Sequence, residues 1–513
     1  MSNNNIVNNQ RIAKNTLLLY IRMLFTMGIS LYTSRAILQV LGVIDYGIYN
    51  VVGGIVVLFI FLSNAMTTST QRFITYELGN GNLEQLRNVF VTSVNIHILI
   101  SIIVVFLSET IGLWLFDEKM TIPPDRKIAA MWVFQLSILT CVISVMSYPY
   151  NAVIIAYEKM SFFAYISVFE ALLKLAIVYL LLIGDTDRLI TYAVLMALVQ
   201  LFIRFCYSLY CNRHFPATSY KIYYNKRLFC EMLVFAGWNL WGNLASILGN
   251  QGINILLNIF FSPAVNAARA LTISAQGAIR QLTTNFQMAL NPQIIKSYAA
   301  GQLHDMHQLV FRSSKFSYFL LFVICLPVFM ETPFILDLWL KEVPDYTVIF
   351  LRFAIIGMLL EGTSNPLMTS AAATGNVKVY QSVVGCIYLL VLPISYISLK
   401  LGCAPWSVYI ADIFVTIFAY AARLIIISQL IQMSMLSFLK CVLFRVIIVT
   451  VISCIIPWLT SITWSEETFI RHIVLILISA LCALLCSFFI GFDYNERKMC
   501  TNYIANNIAK VRK

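Results

Sequence analysis

Positions 269–291 carry Arg269, Thr272, Gln276, Arg280, Thr283, Gln287 and Asn291 at intervals of three or four, within an otherwise mostly apolar stretch of membrane length. At 100° per residue these seven side chains fall within an arc of about 100° of one helix, so one face is polar and holds two guanidinium groups. A charge at bilayer depth costs from about 2.5 to well over 10 kcal/mol, and such residues therefore face a protein interior or a water-filled cavity. The spacing predicts a cationic cavity inside a membrane. Guanidinium presents several donors in a planar fork that matches phosphate oxygens, so the chemistry on offer is the binding of an anionic group such as a pyrophosphate.

The other intramembrane charges sharpen this expectation. Nine cations lie inside apolar stretches (Arg22, Arg35, Lys174, Arg204, Arg269, Arg280, Arg352, Arg423 and Arg445) against three clear carboxylates, Glu170, Glu361 and Asp412. Glu170 and Lys174, four apart, neutralise one another on a helix. Arg204, Arg423 and Arg445 sit near the ends of their stretches and snorkel, and Arg35 is interfacial. Arg22, Arg269, Arg280 and Arg352 remain as the cationic set. A second polar face joins Asn239, Asn243, Asn250, Asn254 and Asn258, beside Trp238 and Trp241. Such amides and rings suit sugar hydroxyls and the apolar faces of pyranoses, and they serve equally well as hydrogen-bond glue between helices. The expected polar lining comprises Thr26, on a face with Asn15, Arg22 and Thr33, together with Asn239, Asn243, Asn250, Asn254, Thr272, Gln276, Thr283 and Gln287. Glu361 and Asp412 are the candidates for coupling transport to an ion. Neither a phosphate-gripping glycine loop, nor a zinc-binding His-Glu-x-x-His, nor a nucleophile elbow occurs, so no cofactor, metal or catalytic residue is expected.

These side chains require a membrane scaffold. The chain has 513 residues, 60% hydrophobic and 11% charged, with mean hydropathy +0.82, which excludes a soluble globular domain and predicts an all-α polytopic membrane protein. A net charge of +12 does not point to nucleic acid, because the basic residues punctuate apolar stretches rather than forming a patch. The cysteines lie mostly inside those stretches and read as small hydrophobes. With about twenty apolar residues needed per crossing, fourteen spans are expected at 16–40, 47–71, 88–116, 128–155, 161–183, 189–211, 229–260, 265–292, 314–340, 347–373, 378–400, 405–432, 437–460 and 468–491. The first is too long for a cleavable signal core. Nineteen Lys and Arg fall on the side of the termini, Lys315 among them, and seven on the other, Arg126 among them. The bias predicts both termini in the cytoplasm.

The chain also resembles itself. Gly81, Leu83, Leu86 and Ser93 stand 220 positions before Gly301, Leu303, Met306 and Ser313, and Pro149 and Ala156 stand 217 positions before Pro366 and Ala373. The matches fall at the same place in successive six-span blocks, and six is even, so the blocks are parallel repeats. The expected organisation is a six-helix lobe at 1–215, a second at 216–434, and two further helices with a tail at 435–513, the substrate path lying between the lobes. At the 220 offset Tyr49 and Ile60 replace Arg269 and Arg280, so charge should concentrate on the second lobe.

Ser34-Arg35, then Leu41-Gly42 and Asp45-Tyr46-Gly47-Ile48-Tyr49, resemble the opening signature of Wzx-type polysaccharide flippases, and Arg72 and the Gly79-Asn80-Gly81 turn continue the likeness. The second half has Ser262-Pro263-Ala264-Val265-Asn266 where the first has Gly42-Val43-Ile44-Asp45-Tyr46, so the signature is not repeated. The fourteen-span, two-lobe layout looks like that of the multidrug/oligosaccharidyl-lipid/polysaccharide exporter superfamily. The resemblance implies a flippase of the bacterial cytoplasmic (inner) membrane that moves an undecaprenyl-pyrophosphate-linked oligosaccharide by alternating access, for O-antigen, capsule or exopolysaccharide synthesis. Its partners would be that anionic lipid-linked oligosaccharide, membrane lipids and polysaccharide assembly proteins. Spans 1, 2, 7 and 8 would line the path by analogy. A multidrug exporter or peptidoglycan-precursor flippase of the same superfamily is the nearest alternative. A membrane polymerase or glycosyltransferase fits less well, because the outer connections are short and the acids Asp117, Glu118 and Asp125 read as a solvated loop.

Overall fold

The computed structural model describes residues 3–57, 61–118, 122–183, 187–218, 223–261, 263–340, 343–464, 466–494, 496–498 and 501, with some side chains inside the helices left aside. Among these residues the protein is wholly helical: α1 (Asn3–Val57), α2 (Phe61–Asn80), α3 (Leu83–Leu107), α4 (Leu113–Glu118), α5 (Lys127–Val145), α6 (Tyr148–Ala156), α7 (Met160–Leu180), α8 (Arg188–His214), α9 (Lys226–Phe260), α10 (Pro263–Ala299), α11 (Leu303–Met330), α12 (Thr332–Trp339), α13 (Thr347–Glu361), α14 (Ser364–Thr374), α15 (Lys378–Leu389), α16 (Val391–Lys400), α17 (Ser407–Leu430), α18 (Met435–Phe438), α19 (Phe444–Thr463) and α20 (Phe469–Cys486).

Nine helical stretches among the described residues are long and apolar enough to cross a membrane, and a tenth is the pair α13 and α14, bent by 42°. The four expected spans that fall in α1, α2, α9 and α10 are not among them. In α9 and α10 polar side chains interrupt the apolar surface. The outer faces of the rest are apolar, as with Ile447, Val451, Ile455 and Leu459 on α19. Exposed hydrocarbon on this scale requires lipid rather than water.

Contacts gather the chain into two compact units, one of Arg11–Leu240 and one of Met1–Gln10 with Trp241–Lys513. In the first, α1 is interrupted at Gly42, whose φ of 76° and ψ of 170° are not helical. A side chain is strained at such a φ, so glycine is the residue that makes this turn at low cost. Ile37, Leu41, Ile177, Val178, Leu181 and Tyr192 form an apolar cluster against which Tyr49 and Leu195 pack. Arg126 donates through Nη1 to Asp187 Oδ2 at 2.7 Å and through Nε to Asp45 Oδ1 at 2.8 Å, with Nη2 closing the fork on Asp45. Arg126 is thus the hub of an ion triad that ties α1 and the N-cap of α8 to the start of α5, not the solvated loop cation expected. Desolvation pushes the Asp187 carboxyl up, but Arg126 and the Leu189 and Ile190 amides outweigh it and hold it below its ordinary value. Lys174 and Glu170 meet at 2.6 Å, as their spacing predicts.

In the second unit the main apolar core joins α11, α14, α15, α17 and α19 around Phe319, Phe322, Leu367, Ala419, Ile427 and Phe438. Lys315, counted as a loop cation from sequence, lies fully buried inside α11 and pairs with Glu496 Oε2 at 2.8 Å and Asp493 Oδ2 at 3.2 Å. Arg445 also pairs with Asp493. Two glycines let α9 approach its neighbours: a Cβ on Gly242 would stand 2.0 Å from Gln381 Oε1, and one on Gly252 would stand 2.3 Å from Leu392 Cδ2.

The repeat is visible in local backbone. Gly81 and Gly301 have φ of 73° and 72°, and the amides after them close equivalent turns, Asn82 on Glu77 O and Gln302 on Ser297 O. At the offset of 217, Glu158 (φ 59°) and Gly375 (φ 79°) end α6 and α14 in the same left-handed conformation.

Candidate functional site

A cavity of about 370 Å³ lies wholly within the second unit, walled by α9, α10, α13, α15, α16 and α17. Its chemistry comes from Asn250 and Asn254 on α9, Arg269, Gln276 and Arg280 on α10, Glu361 at the end of α13, Tyr388 on α15, and Tyr409 and Asp412 on α17. The three-and-four spacing on α10 does what the helical period requires: Arg269, Gln276 and Arg280 face one side, while Ile279 on another side joins an apolar cluster with Leu321, Cys325 and Leu351.

Arg269 is only 3% exposed. Its Nε donates to Asn254 Oδ1 at 2.5 Å, its Nη2 donates to the Asn250 carbonyl at 3.2 Å, and its guanidinium lies over the Tyr409 ring at 5.6 Å. Neutral dipoles and a ring face solvate this charge without cancelling it. Arg280 is different. Its side chain is 53% exposed and meets Glu361 Oε2 through Nη2 at 3.0 Å, Glu361 itself being 30% exposed. The other Glu361 oxygen accepts the Tyr388 hydroxyl at 2.6 Å, and Tyr388 Oη receives Arg423 Nη2 at 3.4 Å. Asp412 feels the charges of Glu361, Arg269 and Arg280, and no ion pair within 4.0 Å is found for it among the described residues. The pocket therefore presents two guanidinium groups and two carboxylates. This corrects the expectation of an uncompensated cationic face: the acids arrive from α13 and α17, on elements whose proximity the sequence does not reveal.

The remaining predicted residues lie elsewhere. Asn239 is buried and donates to its own helix at Phe235 O, Asn243 is exposed away from the cavity lining, and the Asn258 side chain lies outside the described residues. The asparagine face is thus divided, and its two cavity members hold Arg269. Thr272 is buried with its hydroxyl on Ala268 O, and Thr283 and Gln287 are buried beyond the cavity. Arg352 points to the Phe329 carbonyl at 3.3 Å and lines no part of the cavity. Arg22 and Thr26 belong to the first unit; Arg22 lies over the Phe163 ring at 4.9 Å, and Thr26 bonds to Arg22 O at 2.9 Å. Sequence reasoning missed Tyr388 and Tyr409, and it read Arg423 as snorkelling, whereas Arg423 is buried with Nη2 on the Tyr388 hydroxyl. Tyrosines inside apolar spans are too common to single out without knowing their neighbours.

No protein-family profile matches the chain, and no curated protein does. Solved structures do match. The MATE transporter VcmN of Vibrio cholerae in its bent form superposes with TM-score 0.68 at 17% identity, over 84% of this chain and 98% of that one. The MATE transporter ClbM in complex with Rb+ gives 0.67 at 15%, over 80% and 94%. A MOP-superfamily transporter from Pyrococcus furiosus, described as having a binding pocket of reverse polarity that suggests a different function, gives 0.63 at 14%, over 83% and 98%. The chain is a multi-pass membrane protein with the fold of MATE transporters.

Proposed function

We propose that this protein is a flippase that carries undecaprenyl-pyrophosphate-linked oligosaccharides across the bacterial cytoplasmic membrane by alternating access, supplying surface polysaccharide synthesis. Fourteen spans, with both termini in the cytoplasm, belong to this reading. The carrying observation is that Arg269 and Arg280 face one cavity, Arg269 held rigid by Asn250 and Asn254 and Arg280 open to solvent. A fixed charge and an adjustable one suit the two phosphates of a pyrophosphate: the first positions, the second closes on the ligand. Gln276 and Thr416 add neutral polar contacts on the same wall. The reverse polarity described for one structural neighbour's pocket, said to suggest a different function for that transporter, is in keeping with this reading.

The test is translocation of a labelled lipid-linked sugar by proteoliposomes. Wild type should move it, and Arg269→Ala and Arg280→Ala should each lower the rate by roughly ten- to a hundredfold, the loss of one or two charge-assisted hydrogen bonds. Normal transport by both variants removes the proposal. A second reading, export of cationic drugs, draws on Glu361 and Asp412 in the same cavity. Drug-resistance assays separate the two: an exporter confers resistance that Asp412→Asn abolishes and that Arg280→Ala leaves intact.

A further inference from the structure

Two of the arginines that meet carboxylates in this protein, Arg126 and Arg280, do so differently. Arg126 occupies both edges of its fork, with Nε, Nη1 and Nη2 all engaged by Asp45 and Asp187. Arg280 gives Glu361 a single nitrogen, Nη2, in an open cavity, and its side chain is 53% exposed. A guanidinium has five N–H donors, so the Arg280 pairing uses a small part of its capacity. The carboxylate has support of its own: the Tyr388 hydroxyl holds Oε1, so Glu361 keeps its place if Oε2 lets Arg280 go.

Resting on the flippase reading, we infer that Glu361 is a displaceable internal counter-ion: it occupies Arg280 while the cavity is empty and yields it to a diphosphate as it takes up a proton. The groups facing Glu361 are Arg280 from α10, Tyr380 and Tyr388 from α15, and Asp412 and Arg423 from α17. With both acids ionised, Arg269 and Arg280 in the cavity lining are matched charge for charge, and Arg423 stands behind Tyr388 rather than in the lining, so a dianion entering the site meets little net attraction. One proton from the water in the cavity, bound at Oε2, leaves the carboxyl neutral, keeps the Tyr388 hydrogen bond on the carbonyl oxygen Oε1, and frees the Arg280 fork for phosphate oxygens. The proton returns to water when the anion leaves and Oε2 again pairs with Nη2. Anion and proton thus bind together, and the empty cavity does not carry a bare guanidinium.

Farnesyl diphosphate binding to the detergent-purified full chain, measured calorimetrically in two buffers of different ionisation heat, tests this. Wild type should take up about one proton per ligand beyond the ligand's own count, with affinity rising as pH falls from roughly 8 to 5. Glu361→Gln should bind about tenfold more tightly at the alkaline end and lose that extra proton. Folded Glu361→Gln that keeps the wild-type proton count, or that no longer binds, overturns the exchange while wild-type binding leaves the flippase reading standing. Should that variant fail to fold, the wild-type count alone decides, and a net uptake of zero sinks the inference. Folded wild type that binds no diphosphate at any pH overturns the inference and the reading together.

Discussion

Positions related by the 220 and 217 offsets carry opposite chemistry. In the second unit Arg269 lies over Tyr409; 220 and 217 positions earlier, Tyr49 and Tyr192 make the same pairing as two rings, with centroids 4.7 Å apart. Asp412 corresponds to Leu195, packed in the apolar cluster around Tyr192, and Glu361 corresponds to Ser144. The reverse holds elsewhere. Asp45, Arg126 and Asp187 form an ion triad, whereas their counterparts Val265, Val343 and Ala404 are apolar. On α3, Asn95 donates to the Tyr223 carbonyl at 3.2 Å, and its counterpart on α11, Lys315, is the buried centre of an ionic cluster. The turns at Gly81 and Gly301 share a φ of 73° and 72°. Positions related by these offsets therefore hold a dry aromatic packing in one unit and a charged cavity in the other.

That comparison can be broken by exchanging the addresses. Tyr49→Arg should be the most damaging change, because Leu195 and its apolar neighbours offer a guanidinium no counter-charge; a loss of several kcal/mol is expected, seen as aggregation or a collapsed melting transition. Lys315→Ala removes the nearest cation from buried Glu496, leaving it Arg312 at 3.9 Å, and should cost about 3 kcal/mol, measured by thermal melting in detergent, with Glu496→Gln in the same chain restoring part of it. Arg269→Tyr makes the second unit resemble the first: the protein should fold, and diphosphate binding should weaken by roughly ten- to a hundredfold in direct titration. The smallest effect concerns acid. Desolvation raises the Asp187 and Asp493 carboxyls, but their cationic partners outweigh it and hold both below the ordinary value. Their stabilisation is complete above about pH 4 and is lost as pH falls through the folded values. Melting temperature should decline in that acid window, and Arg126→Ala should remove the part of the decline that Arg126 contributes through Asp187, the Leu189 and Ile190 amides keeping the rest.

The helical period made the polar face of α10 legible, and the apolar lengths made most of the spans legible. The turn glycines marked two stretches that make equivalent local turns. What sequence could not supply was adjacency. Arg280 and Glu361 are 81 positions apart, and nothing in either local pattern says that α13 delivers its last residue to α10. The same blindness hid the partner of Lys315, which comes from beyond α20, and it assigned Arg352 to a cavity when its own neighbour is the end of α11. The polar faces that the helical period marked on α9 and α10 are the ones that contribute Asn250, Asn254, Arg269, Gln276 and Arg280 to the cavity wall.

Glu361 is the last residue of α13, directly before the 42° bend into α14. Its carboxylate is therefore mounted at a fulcrum, so that any straightening or sharpening of the hinge swings it relative to Arg280. The length of one ion pair and the angle of a broken span are geared to each other, and a spectroscopic ruler across that joint would register occupancy of the cavity as a change in tilt.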